Sequence, residues 1–135
     1  MSIAQSVSAA PDTRRLSSAG LKAFFNIASS WKLTVGDEIR LLGEPARATY
    51  FNWKRDPSAV HLSRDTLERI SYILGIYKAL QILLPEAHAA DAWIKKPNSA
   101  TLFGGRSALD RMLSGNVGDL YAVRQYLDAM RGGWA

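Results

Sequence analysis

The chain has no cysteine. That absence removes disulfide frameworks, thiol nucleophiles, cysteine-held zinc and iron–sulfur clusters together. Histidine is almost as scarce, with only His61 and His88 in 135 residues. Neither has an acid and a nucleophile at catalytic spacing, and two isolated imidazoles without thiolates do not make a metal site. No metal and no cofactor is expected. Most carboxylates sit at helix caps or four residues from a base, where they already have structural partners, so the chain does not read as an enzyme. No run approaches the ~18 consecutive apolar residues of a membrane span. The opening MSIAQSVSAAPDTRR lacks the charged start and apolar core of a secretory signal, and the expected location is the cytoplasm.

What is present is enough to fold. Hydrophobic residues make up 47% and charged residues 21%, so apolar burial can offset chain entropy in one ordinary domain or two small ones. Lys and Arg number 17 against 12 Asp and Glu, a formal charge of +5. The excess is spread evenly: Met1–Val60 carries eight basic and five acidic residues, and His61–Ala135 nine and seven. Such a balance favours a polyanion partner without demanding one, and neither half is a basic tail.

No segment alternates apolar and polar residues long enough to be a strand, and the expected class is all-α with about seven helices. Residues 1–15, small and polar without a period, are expected to be a disordered leader. From Leu16 the residues Leu21, Phe24, Phe25, Ala28 and Trp31 form one helical stripe, with Ser17 or Ser18 as its cap. Thr34-Val-Gly-Asp37 is a capping-box pattern opening a short helix that Gly43 ends. Pro45 is expected at the first position of the next helix, which places Ala46, Tyr50 and Trp53 on one face. Ser63 or Asp65 caps the longest helix, about Thr66 to Leu84, which is apolar around most of its circumference. Only Ser71, Gly75 and Lys78 form a narrow polar or small stripe, so several neighbours must bury it at once. Pro85 begins a short helix with Trp93, and Ser107 with Asp110 and Asn116 with Asp119 open the last two.

Thr34 to Lys54, two short helices joined across Gly43, has the layout of a helix-turn-helix. In that reading Arg47, Thr49, Asn52, Lys54 and Arg55 supply phosphate contacts and base-edge hydrogen bonds, while Tyr50 and Trp53 pack inward or line the groove. The alternative is a plain helical hairpin whose basic residues form a solvated face. A loop from Asn98 to Arg106 holds Gly104-Gly105 ahead of a helix start, which superficially resembles a phosphate cradle. It lacks a lysine at the P-loop spacing, and a tight connection with Leu102 and Phe103 plugging the core accounts for it better. The tail Gly132-Gly133-Trp134-Ala135 leaves an aromatic residue one place from the terminal carboxylate, to pack on its own domain or to dock into a partner.

Several runs together resemble the Xre/MbcA/ParS family of antitoxins. They are Trp31 through Gly43, Trp53, Arg64 through Leu80, Trp93 with Pro97-Asn98, Leu102 through Asp110, Leu109 to Gly115, and Leu120 with Val123-Arg124 and Tyr126-Leu127. The resemblance implies an N-terminal Xre-like helix-turn-helix over residues 16–62 and a helical dimerisation and toxin-binding domain over 63–135. It further implies a RES-domain toxin as partner, one that consumes NAD or transfers ADP-ribose from it and is inhibited by occlusion of its active site. Carried over by position, the toxin-binding residues are Arg124, Asp128, Arg131, Gly132, Gly133, Trp134 and Ala135, with Asn98 to Arg106 as a secondary surface. A homodimer presenting two recognition helices to operator DNA would add autoregulation. The rival expectation is a free-standing helix-turn-helix regulator without a toxin.

Overall fold

A computed structural model describes residues 2–132, with side chains from Arg15 onward. Its first helix, α1, spans Ser2–Ser30 rather than starting at Leu16. The backbone of residues 2–15, expected as a disordered leader, therefore continues the helix. Alanine and glutamine are strong helix formers, and extending an existing helix avoids the cost of nucleation. Leu21, Phe24, Ala28 and Trp31 are buried as their spacing requires. Ser17, expected as a cap, lies inside α1 and is fully buried, its hydroxyl accepting from the Leu62 N–H at 2.9 Å. The left-handed Lys32 (φ 53) ends α1, with Leu33 N–H reaching Ala28 O at 3.0 Å and Lys32 N–H reaching Ser29 O at 3.1 Å. This pair of bonds is a Schellman closure, made here without the usual glycine.

Helix α2 spans Val35–Leu41 and carries the expected capping box: Thr34 Oγ1 accepts from Asp37 N–H at 3.1 Å, and the Asp37 carboxylate accepts from Thr34 N–H at 3.3 Å. It closes through Gly43 (φ 92) and Glu44 (φ 62), whose N–H groups donate to Arg40 O and Ile39 O. Helix α3 spans Arg47–Arg55. Pro45 thus stands outside it instead of opening it, and Ala46 holds the cap position in an extended conformation with no side-chain bond. A 3-10 turn, Pro57–Ala59, leads to α4, Arg64–Leu83, capped by Ser63 Oγ accepting from Thr66 N–H.

Helix α5 spans Ala87–Trp93 and is capped by Glu86, which accepts from the N–H groups of His88 and Ala89. Pro85 again lies ahead of the helix and does not begin it. Helix α6 covers Ala108–Met112, with Ser107 capping as expected. Helix α7 covers Val117–Met130, and Asn116 at its cap makes no side-chain bond. Asp119 instead accepts from Ser114 Oγ and from Arg111 Nε at 2.9 Å. Its carboxyl lies below the usual carboxylate range, the Ser114 hydrogen bond and the Arg111 guanidinium outweighing desolvation. Among the described residues there are seven α-helices and no strand, so the protein is all-α. One isolated bridge pairs Pro97 with Ser107.

α4 is the spine, with Ile70, Ile73, Ile76, Ala79 and Leu80 buried, and it packs against α1, α5 and α7. Its contact with α7 is parallel and in register: the Tyr72 and Tyr121 rings are 5.4 Å apart, and Arg124 lies across Gly75. A Cβ at Gly75 would stand 2.5 Å from Arg124 Nε, so the small residue in the polar stripe lets the guanidinium cross the helix. Helix α1 packs on the 3-10 turn, and Ser17 ties it to Leu62 in the segment after that turn. Replacing Ser17→Ala leaves the Leu62 N–H buried without an acceptor, and chemical denaturation should show a loss of about 1–3 kcal/mol.

Candidate functional site

The inward side of α3 is fixed by one buried polar contact and an aromatic wall. Tyr50 is fully buried and its hydroxyl donates to Glu38 Oε1 at 2.7 Å, joining α3 to α2. Glu38 is itself only 5% exposed. Burial, and then the hydrogen bond to that carboxylate, push the Tyr50 hydroxyl well above its ordinary pKa, so it stays a donor throughout the physiological range. Phe25 of α1 meets the Tyr50 ring edge-on at 5.9 Å. Lys54 Nζ lies 5.7 Å from the Phe25 ring centre and 5.8 Å from that of Tyr50.

With Tyr50 turned inward, helical periodicity turns Phe51, Asn52 and Arg55 outward, while Arg47 and Lys54, three and four residues from Tyr50, flank it at the edge of that face. All five are exposed, whereas Thr49 and Trp53 are half-buried. Of the five residues expected to read DNA, Arg47, Asn52 and Arg55 are exposed, Lys54 is exposed but turns its ammonium back over Phe25 and Tyr50, 3.5 Å from the Tyr50 hydroxyl, and Thr49 is partly withdrawn. Arg55 donates to Asn52 Oδ1, and the Arg47 guanidinium lies 5.3 Å from the centre of the Phe51 ring. Phe51 is the residue that sequence reasoning misses. Its 40% exposure places an aromatic ring among cations, and its position one residue off the Tyr50 stripe is the signal that could have found it.

On α7, Arg124, Asp128 and Arg131 form a short charge ladder. Arg124 Nε is 3.4 Å and Arg131 Nη1 3.6 Å from the two Asp128 oxygens. Gly132 (φ 81) follows, exposed, while Gly133, Trp134 and Ala135 lie outside the described residues. Ile82 near the end of α4 and Met130 at the end of α7 are 50% and 58% exposed. Met130 continues the buried stripe of Leu120, Val123 and Leu127 and so reads as core in the sequence, but the core stops one turn short of it.

The loop from Asn98 to Arg106 is self-contained. Asn98 Oδ1 accepts from Ala100 N–H, Asn98 O from Gly105 N–H, and Arg106 O from Asn98 N–H, each at 2.9 Å. Gly104 N–H also donates within the loop, to Ala100 O. The two glycine N–H groups that an anion would need are therefore taken. Phe103 is buried against Trp93 and Tyr126, with ring centres 5.9 and 5.1 Å away, which holds the loop on α5 and α7. Arg106 is exposed at the rim of a shallow cleft with Asp110 and Arg111. Among the described residues, no group of three or more His, Cys, Asp or Glu side chains could hold a metal ion, and no helix is long and apolar enough to cross a membrane.

These features define a helix-turn-helix protein with a second helical unit built on the same long helix. Residues 10–75 match the antitoxin Xre-like helix-turn-helix domain, and residues 79–133 match the antitoxin Xre/MbcA/ParS C-terminal toxin-binding domain. The two matches meet inside α4. An uncharacterised protein of Sinorhizobium fredii (strain NBRC 101917 / NGR234), y4oB, is 54% identical over 115 residues, spanning 85% of this chain and 86% of its own length. The chain belongs to the Xre/MbcA/ParS antitoxin family, with a DNA-binding unit and a unit for a toxin partner.

The Tyr50–Glu38 bond is the polar lock of the first of these units. Tyr50→Phe keeps the ring packing but leaves a buried carboxylate without its donor. The expected loss is about 1–3 kcal/mol in urea unfolding, with the aromatic packing around Phe25 retained.

Proposed function

We propose that this protein neutralises a RES-domain toxin, one that consumes NAD or transfers ADP-ribose from it, by occluding the toxin's active site without catalysing any reaction. It acts in the cytoplasm, as a homodimer that also represses its own operon. In this reading residues 16–62 read operator DNA, and residues 63–135 carry dimerisation and toxin binding. The observation that carries it is the pairing, on one chain, of an open basic α3 face with an α7 whose last turn leads directly into a Gly-Gly-Trp-Ala tail. An NAD pocket is built for phosphates and a carboxamide. A stacking Trp134 suits such a pocket, while Arg124, Asp128 and Arg131 add contact area at its mouth.

Two experiments test the two halves separately. Replacing Arg47 and Lys54 together by Ala should weaken binding to the operon's own promoter and lower the salt slope by up to about 2, near 0.9 for each phosphate no longer neutralised. An unchanged slope removes these residues from the DNA backbone. Deleting Gly132–Ala135 should weaken inhibition of the toxin about tenfold or more, read as loss of cellular NAD or gain of ADP-ribosylation on coexpression. Full protection by the truncated chain refutes occlusion by the tail.

A further inference from the structure

The turn between α2 and α3 is held from the far side of the sequence. Arg40 Nε donates to Leu113 O at 2.8 Å, and Arg69 Nη1 donates to Gly115 O at 3.1 Å. Leu113 and Gly115 follow α6 in the toxin-binding unit, where terminal carbonyls lack intrahelical donors and carry partial negative charge. Both arginines also touch the turn itself. Arg40 pairs with Glu44, and Arg69 lies so close over Gly43 that a Cβ there would stand 3.0 Å from its Nε. Arg69 is further fixed by Asp65 at 2.9 Å, and its side chain is only 12% exposed.

This turn needs outside support. Gly43 and Glu44 are consecutive left-handed residues, and the second of them, a glutamate, is strained in that conformation. The helix it leads into has no side-chain cap of its own, because Ala46 cannot accept. Besides Tyr50, its aromatic wall and the packing of α3 on α1 and the 3-10 turn, the start of α3 depends on the turn, which Arg40 and Arg69 tie to the Leu113–Gly115 segment.

Resting on the reading of α3 as the DNA-recognition helix, we propose that Arg40 and Arg69 are positioning residues for DNA binding, which set the entry angle of α3 by clamping the α2–α3 turn to the Leu113–Gly115 carbonyls. They touch no phosphate. Removing a clamp should therefore lower DNA affinity without changing the number of counterions released, the opposite of removing Arg47 and Lys54.

The test uses the full chain with Arg69→Met, which keeps the aliphatic stem and removes the donors, and Arg69→Lys, which restores one donor. Arg40→Met serves as the milder second variant, since its side chain is 48% exposed and less of the fold depends on it. Binding to a duplex carrying the region upstream of its own gene is measured across salt concentrations, and backbone hydrogen exchange is measured in parallel. The expected result for the Met variants is about fivefold to tenfold weaker binding with the wild-type salt slope, partial recovery in Arg69→Lys, and faster exchange confined to residues 43–50. A reduced salt slope would place the arginines on the DNA itself and overturn the proposal. Unchanged affinity with unchanged exchange overturns it as well. If the wild-type chain binds no DNA, the recognition-helix reading fails, and the exchange measurement alone then decides whether the clamp holds the turn.

Discussion

Burial of α4 is the constraint from which the arrangement of the other helices follows. A helix apolar around most of its circumference loses roughly 25 cal/mol for each Å² of flank left in water, so it must be covered on several sides at once. α1 covers one flank, α7 a second and α5 its end. Because α7 runs along α4 in register, Gly115 ahead of α7 meets Arg69, Tyr121 meets Tyr72, and Arg124 crosses Gly75. The DNA-reading unit and the toxin-binding unit thus share one helix rather than meeting through a linker. That the two family matches meet within α4, one ending at residue 75 and the other starting at 79, has its physical explanation here.

The parts of the fold legible in the sequence are those decided by neighbours within four residues. The capping box at Thr34 and Asp37, the caps at Ser63 and Ser107, and the left-handed Gly43 are all local, and all stand where the sequence places them. Misplaced features are those where a distant partner outcompetes a local one. Ser17 has the chemistry of a cap, but its hydroxyl is taken by Leu62, 45 residues away. Asn116 occupies a cap position without capping, because Asp119 is engaged by Arg111 and Ser114 and the Ser114 hydroxyl in turn receives the Asn116 N–H. The fixed φ of Pro45 and Pro85 suits a helix start. That same φ serves an extended approach equally well, and in both cases the helix begins two residues later.

The candidate surfaces divide along the same line. Arg47, Asn52, Lys54 and Arg55 are legible in the sequence because an amphipathic helix exposes whatever its apolar stripe does not use. Arg40 and Arg69 cannot be found that way. Their i,i+4 partners Glu44 and Asp65 make them look like ordinary surface pairs, worth a few tenths of a kcal/mol. The acceptors that give them a second role are the carbonyls of Leu113 and Gly115, which no side-chain pattern marks. Arg124 is a similar case, since its passage across α4 depends on the missing side chain of Gly75.

The shared helix also bears on whether DNA and toxin compete. The clamp joins the α2–α3 turn to the Leu113–Gly115 segment just before α7, and the charge ladder runs from the middle of α7 to its C-terminal end. The 14 residues of α7, at 1.5 Å per residue, span about 20 Å, nearly four turns. On α7, one carboxylate, Asp128, pairs with both Arg124 and Arg131 and leaves a net charge of +1, while α3 carries Arg47, Lys54 and Arg55 and no acidic residue of its own. On the proposed reading, the three cations of α3 attract a polyanion, while the exposed Ile82 and Met130 near the ends of α4 and α7 offer apolar area to a protein partner. The two partners then use different surfaces, and coupling between them runs through α4, which both units share, as well as through α7 and the clamp.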